Sequence, residues 1–72
     1  MRDAAVKRSI RVHNHKTSVF VEDAFWLDFV SIAERMGRRI TDLASELDER
    51  RNAKTLSSAI RLFVLSYHQG RH

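Results

Sequence analysis

The side chains best suited to chemistry in this 72-residue chain are basic, and they are unevenly distributed. Residues 1–17 contain five lysines and arginines and one aspartate, whereas residues 18–72 contain eight basic and eight acidic side chains. The net charge of +4 therefore lies entirely near the N-terminus. Such an excess is typical of a segment that meets a polyanion, and the alternative is a solubilising tail.

Two histidines raise the possibility of a metal site. His13 and His15 would share one face of a strand, as metal ligands can, but the chain has no cysteine and no third ligand nearby in sequence. We therefore expect no metal and no other cofactor; near a polyanion the histidines can instead protonate and add affinity. No set of serine, histidine and acid is evident, and so short a chain offers little concave pocket, so we expect no enzyme.

The hydrophobic period changes once along the chain. From Ser9 to Val21, β-branched and aromatic residues tend to alternate with polar ones, which predicts one strand, or two strands joined at Asn14 and His15. The period then becomes helical. The three predicted helices span about residues 23–36, from Thr41 as N-cap to an end within 48–54, and from Thr55 or Ser57 to His68. Gly37 supplies a left-handed stop for the first helix.

So small a chain seldom buries enough apolar surface by itself, and without cysteine it has no disulfide to compensate. A lone strand or hairpin also leaves unpaired edges, and pairing with a second copy across a two-fold axis would remove them. We therefore expect a homodimer. Its predicted core comprises Val19, Val21, Trp26, Phe29, Leu43 and Leu47. Residues 1–7 are expected to form a flexible basic arm and residues 8–72 a single domain.

Hydropathy predicts neither a membrane span nor a signal peptide. No uninterrupted apolar run approaches the roughly 20 residues that cross a bilayer, and no apolar block follows the first basic residues. We expect a cytoplasmic protein.

Several segments resemble a known family. Thr-Ser-Val-Phe-Val-Glu-Asp-Ala-Phe-Trp at residues 17–26, Ile-Ala-Glu-Arg at 32–35, Gly37 and Ile-Thr-Asp-Leu at 40–43 resemble the bacterial ribbon-helix-helix DNA-binding proteins, the family of the Arc and MetJ repressors. Leu-Ser-Ser-Ala-Ile-Arg at 56–61 resembles a branch with an added C-terminal helix. The resemblance covers about residues 8–67. It implies a mainly helical, intertwined homodimer with a short β ribbon, one strand from each subunit, in the DNA major groove.

The alternation within the strand predicts which side chains meet DNA. Thr17, Val19 and Val21 are the more apolar set and should face inward. Lys16, Ser18 and Phe20 then face outward and become the expected base contacts. Lys16 can bind guanine or only phosphate. Phe20 can pack on a thymine methyl group, or it can be core if the preceding segment folds back over it.

The expected phosphate contacts lie at the start of the second helix and before the strand. The helix N-terminus offers free N–H groups, and the resemblance implies that this element clamps the DNA backbone. The residues involved are Arg38, Arg39 and Thr41, supplemented by Arg8 and Arg11. The alternative is an ordinary interhelical loop with solvated arginines.

Three functions compete. The first is a transcriptional regulator, specifically a repressor. It would bind DNA as a dimer or as dimers side by side. The second is the DNA-binding antitoxin of a toxin–antitoxin pair; antitoxins usually carry a disordered tail, whereas this sequence ends directly after the third helix. The third is a dimeric adaptor that binds proteins and not DNA. Adaptor function gives no reason for the net positive charge to be concentrated near the N-terminus.

Overall fold

A computed structural model describes residues 4–52 and 54–70 as two strands followed by three helices. The elements are β1 (Ala5–Val12), β2 (His15–Glu22), α1 (Asp23–Arg35), α2 (Ile40–Arg50) and α3 (Leu56–His68). Of the two alternatives for the N-terminal segment, the two-strand one is correct. The three predicted helices are all present.

The two strands form an antiparallel hairpin with a two-residue turn. His13 and Asn14 occupy this turn with φ of 52° and 66°. Two consecutive left-handed residues produce a turn whose twist matches that of the strands, and asparagine tolerates this conformation better than most residues. The turn lies one residue earlier than predicted.

The hairpin also begins earlier than expected. β1 starts at Ala5, so Val6 and Lys7 of the predicted arm belong to a strand. Residues 1–3 lie outside the described residues. The register places Ala5 opposite Glu22, Ser9 opposite Ser18 and Val12 opposite His15.

The C-terminus of α1 and the N-terminus of α3 lie where Gly37 and Thr55 predicted them. Gly37 adopts φ of 68°, and the N–H of Arg38 donates to the carbonyl of Ala33 at 2.9 Å, which closes the C-terminus of α1. At the start of α3, the Thr55 hydroxyl accepts a hydrogen bond from the Ser58 N–H at 3.1 Å. Thr55 is therefore the N-cap of α3.

The start of α2 differs from the prediction. Thr41 was expected to be the N-cap, but the helix begins at Ile40 and Arg39 occupies the cap position without a side-chain hydrogen bond. The Thr41 hydroxyl instead donates to the backbone carbonyl of Arg11 in β1. The N-cap rule expects the Thr41 hydroxyl to bond to an N–H group of its own helix, but the hydroxyl bonds to β1 instead.

One chain assembles a core of its own beneath the hairpin. The buried side chains are Val12, Val19, Val21, Phe29, Ile32, Ala33, Leu43, Ala44, Ala59, Ile60 and Val64. Phe29 of α1 meets Phe63 of α3 edge to face at 6.2 Å between ring centroids. Among the described residues no polar or charged residue is buried.

The residues expected to form a dimer core are largely enclosed by this packing. Val19, Val21, Phe29 and Leu43 are at most 2% exposed within a single chain. Trp26 and Leu47 are partly buried and pack against the edge of the core. Of the six residues, only these two keep appreciable surface in one chain.

Candidate nucleic-acid interface

The outward side of the hairpin, called here the outer face, is basic and open to solvent. It carries Lys7, Ser9 and Arg11 from β1 and Lys16, Ser18 and Phe20 from β2. All six residues are exposed, whereas Val19 and Val21 on the opposite side are fully buried and Thr17 is half-buried. The predicted alternation of β2 is therefore confirmed, and β1 adds a second row of outward side chains.

Phe20 belongs to the outer face and not to the core. The preceding segment does fold back as a second strand, but it lies beside β2 rather than over it, with Lys7 directly opposite Phe20. Phe20 remains 51% exposed. Its ring is thus available to a ligand on the outer face.

Two cations lie side by side next to the turn. Arg11 and Lys16 are directly opposite in the register, and both are exposed. Like charges in this arrangement destabilise a sheet, because neighbouring side chains on one face are close. One guanidinium nitrogen of Arg11 donates to the carbonyl of Asn14 at 3.2 Å, which holds that side chain near the turn. An anion bound here would relieve the repulsion.

The start of α2 lies against the hairpin turn. A cleft between them is lined by Arg11, His13, Asn14, Arg39, Thr41, Asp42 and Ser45. The Arg39 side chain is 80% exposed and approaches the Asp42 carboxylate at 3.3 Å. An ion pair this exposed is weak, so Arg39 can exchange Asp42 for another anion. The Ser45 hydroxyl accepts a hydrogen bond from the His13 N–H at 3.1 Å and so ties α2 to the turn.

Two other expected phosphate contacts are engaged within the chain. Arg38 forms an ion pair with Glu46, and this hydrogen bond lowers the pKa of the Glu46 carboxyl. Arg8 lies on the inner side of the hairpin, paired with Asp23, with its guanidinium carbon 5.2 Å from the centre of the Trp26 ring. The freely accessible arginines of the predicted set are therefore Arg11 and Arg39.

The outer edge of β2 is held by α3, a contact that the sequence did not reveal. The Phe20 N–H donates to the Ser57 hydroxyl at 2.9 Å, and Arg61 donates to the Phe20 carbonyl at 2.8 Å. Arg61 also donates to the Glu22 carboxylate at 2.8 Å and 3.3 Å. This hydrogen bond lowers the pKa of Glu22 below its usual range. The negative charge of Glu22 is thus balanced by Arg61 and does not oppose the positive charge of the outer face.

The histidines near the turn do not assemble a metal site. The Nε2 atom of His13 lies 3.7 Å from Asp48 and 3.8 Å from Glu49, beyond hydrogen-bond distance. Within residues 4–52 and 54–70, no group of three or more histidine, cysteine, aspartate or glutamate side chains can hold a metal ion. In the same part of the chain no helix has the length and apolarity to cross a membrane.

A comparison of the sequence with family profiles identifies the family that has this arrangement of strands and helices. The profile described as a ribbon-helix-helix domain matches residues 5–68, which includes both strands and all three helices. The chain belongs to the ribbon-helix-helix family. Membership of this family implies DNA binding, and ribbon-helix-helix proteins are typically not enzymes and generally bind DNA as dimers. No curated protein and no solved structure matches the chain.

The contact between Arg61 and Glu22 predicts a pH dependence of stability. Since the folded-state pKa of Glu22 lies below its ordinary value of 4.5, the ionised carboxylate favours the folded state above that pH. This contribution is lost as the pH falls through the lowered folded-state pKa. We expect Glu22→Gln to be less stable at neutral pH and to lose less stability on acidification than the wild type, measured by urea unfolding at several pH values.

Glu34→Gln is the matched control, because Glu34 is exposed on α1 and forms no ion pair with the described residues. It should keep the acid dependence of the wild type. Parallel pH curves for the wild type and Glu22→Gln would show that Arg61 does not stabilise the ionised carboxylate.

Proposed function

We propose that this protein is a sequence-specific transcriptional regulator, a repressor, that places the outer face of its ribbon in the major groove of DNA. The observation that carries the proposal is the outer face itself. It presents Lys7, Arg11 and Lys16 to solvent, and the nearest carboxylate in the strands, Glu22, is already paired with Arg61. A two-stranded ribbon fits the width of the major groove.

The β2 side chains have distinct roles in this proposal. Lys16 donates to guanine O6 or N7, the commonest specific contact that a cationic side chain makes. Ser18 both donates and accepts and so discriminates weakly between bases. Phe20, half-exposed at the far end of the strand, packs on a thymine methyl group.

The start of α2 anchors the DNA backbone. Free N–H groups in the first turn of the helix attract a phosphate, and Arg39 lies at the cap position with most of its side chain exposed. Arg11, on the other wall of the same cleft, reaches the same phosphate. These contacts fix the ribbon in register with the groove but carry no sequence information.

Occupation of an operator is enough for repression, because a bound protein excludes others from the same DNA. An antitoxin would use the same DNA contacts and in addition bind a toxin. A protein adaptor would need no phosphate contacts, and salt dependence separates it from both.

A titration of duplex DNA at several salt concentrations tests the proposal. We expect tight binding at low salt and a log–log slope of about −0.9 for each phosphate neutralised. Lys16→Ala should reduce discrimination between selected and random DNA by about fivefold or more, because a base contact is lost. Arg39→Ala should weaken binding to all sequences similarly and reduce the slope by about one.

Arg50→Ala is the control for charge alone. Arg50 is exposed in the last turn of α2, does not line the cleft at the start of that helix, and pairs with Glu46. Its removal should change DNA affinity much less than removal of Arg39. Absence of binding at low salt would refute DNA recognition and favour the adaptor.

We further propose that the protein acts as a homodimer. The intersubunit ribbon implied by the family resemblance would require β2 to pair with a second copy of itself. A groove between α2 and α3, open to solvent, offers a different contact for the second copy. Its apolar lining is formed by Met36, Leu43, Leu47, Ala59, Leu62 and Phe63.

Two properties of this α2–α3 groove suit a second copy. Met36 and Leu62 are 39% and 44% exposed, so covering them removes apolar surface from water. No hairpin residue lines the groove, so a dimer formed there leaves the outer face free for DNA. Leu47, the one lining residue from the predicted dimer core that retains exposure, fits this placement.

Sedimentation equilibrium tests the dimer. Leu62→Lys adds a cation to the α2–α3 groove, which Arg38, Arg50, Arg51 and Lys54 already line, and should weaken self-association at least about tenfold, because a buried unpaired cation is costly. Leu27→Lys is the control, since Leu27 is 65% exposed on α1 and does not line the groove. Equal association of the two variants would exclude the groove, and a wild-type monomer on saturated DNA would exclude the dimer.

A further inference from the structure

The outer face contains β1 side chains to which the proposed function gives no partner on the DNA. β1 is paired with β2 along its whole length. Because side chains alternate along a strand, Lys7, Ser9 and Arg11 all lie on the outer face, and all three are exposed. Arg11 is assigned to the phosphate at the start of α2, so Lys7 and Ser9 remain to be explained.

The two cations of this row keep their charge for a ligand. The Lys7 side chain forms no ion pair with the described residues. Arg11 donates to the neutral carbonyl of Asn14 and so is not neutralised by that contact. By contrast Arg8, which lies on the inner side of the same strand, is paired with Asp23. The outward cations of β1 are therefore suited to bind an anion.

The position of β1 beside β2 determines which part of the DNA these cations reach. The family resemblance implies a ribbon made of β2 and its copy from a second subunit, which leaves β1 outside the ribbon. Neighbouring strands are about 4.8 Å apart, so β1 would lie about 7 Å from the midline of such a ribbon. The major groove is about 12 Å wide, so each wall lies about 6 Å from the same midline. β1 is thus placed over the sugar–phosphate backbone and not over base edges.

The order of side chains along β1 suits a DNA backbone that crosses the strand. Lys7 and Arg11 are four residues apart, which is about 13 Å along a strand, so they reach different phosphates. Ser9 lies between them and is short, so it lets the backbone approach, and its hydroxyl can donate to a phosphate oxygen. A long side chain at this position would hold the DNA away from the strand.

We propose that β1 is a phosphate-binding flank of the ribbon, in which Lys7 binds a phosphate beyond the one held at the start of α2. The inference rests on the proposed function and assigns a second place of contact on the DNA backbone. Ser9 assists Lys7, and Arg11 connects the flank to the phosphate near Arg39. The flank adds affinity and fixes the orientation of the ribbon, but it does not read sequence.

The salt dependence of Lys7→Ala tests the flank. We expect its log–log slope to be smaller than that of the wild type by about 0.9, the value for one phosphate. The ratio of wild-type to variant affinity should then be about eightfold greater at about 0.1 M than at about 1 M salt. Selected and random duplexes should lose affinity equally, because a phosphate contact carries no sequence information.

Two further variants serve as controls. Lys54→Ala removes an exposed lysine from the α2–α3 groove, which no hairpin residue lines, and should keep the wild-type salt slope. Lys7→Arg should also keep it, because a phosphate accepts either cation.

An unchanged slope for Lys7→Ala would overturn the flank. A loss of discrimination like that expected for Lys16→Ala would overturn it as well, because Lys7 would then contact a base. Failure of the wild type to bind any duplex at low salt would instead refute the proposed function, so the two failures are distinguishable.

Methylphosphonate linkages, which remove the charge of a single phosphate, locate the contact. Each linkage within and beside the selected site is replaced in turn, and the affinities of the wild type, Lys7→Ala and Arg39→Ala are compared. We expect a linkage whose neutralisation weakens the wild type but not Lys7→Ala, and a different linkage that behaves in this way for Arg39→Ala. If no linkage distinguishes Lys7→Ala from the wild type, or if both variants point to the same linkage, the proposal is wrong.

Discussion

The register of the β1–β2 hairpin is the constraint on which the remaining structure depends. Side chains alternate along a strand, so a slip of one residue would exchange the two faces. Val19 and Val21 would then lie in water, and Lys16 and Ser18 would lie over the core. The left-handed pair His13 and Asn14 fixes the two-residue turn and with it the register. Burial of one face thus determines which side chains the other face offers to DNA.

The helices reinforce this register from both sides of the hairpin. α2 contacts the turn end of β1 through Thr41 and Ser45, and α3 contacts the opposite end of β2 through Ser57 and Arg61. These bonds satisfy backbone groups at the sheet edges, which would otherwise attract further strands. The same contacts bring the start of α2 beside Arg11. Fold stability and the geometry of the proposed DNA interface therefore depend on the same side chains.

Much of this organisation follows from local sequence signals, and the exceptions have physical causes. Alternation identified the outward face of β2, and Gly37 and Thr55 marked helix ends, because each signal acts within a few residues. The cap of α2 was misplaced because Thr41 bonds to β1, a partner 30 residues away. The engagement of Arg8 by Asp23 and Trp26 likewise depends on hairpin register and could not be read from spacing. The outward positions are even-numbered in β2 but odd-numbered in β1, because the two-residue turn reverses the alternation, so Lys7 and Ser9 could be identified only from the register of the hairpin.

The central claim is that the outer face of the hairpin binds DNA. Backbone amide chemical shifts of ¹⁵N-labelled protein, followed during titration with a duplex selected from a random pool, test it most directly. The account predicts that the largest changes occur at Lys7, Ser9, Lys16 and Ser18 and at the start of α2 near Arg39. Changes confined to the α2–α3 groove around Leu62, with the hairpin signals unmoved, would contradict it.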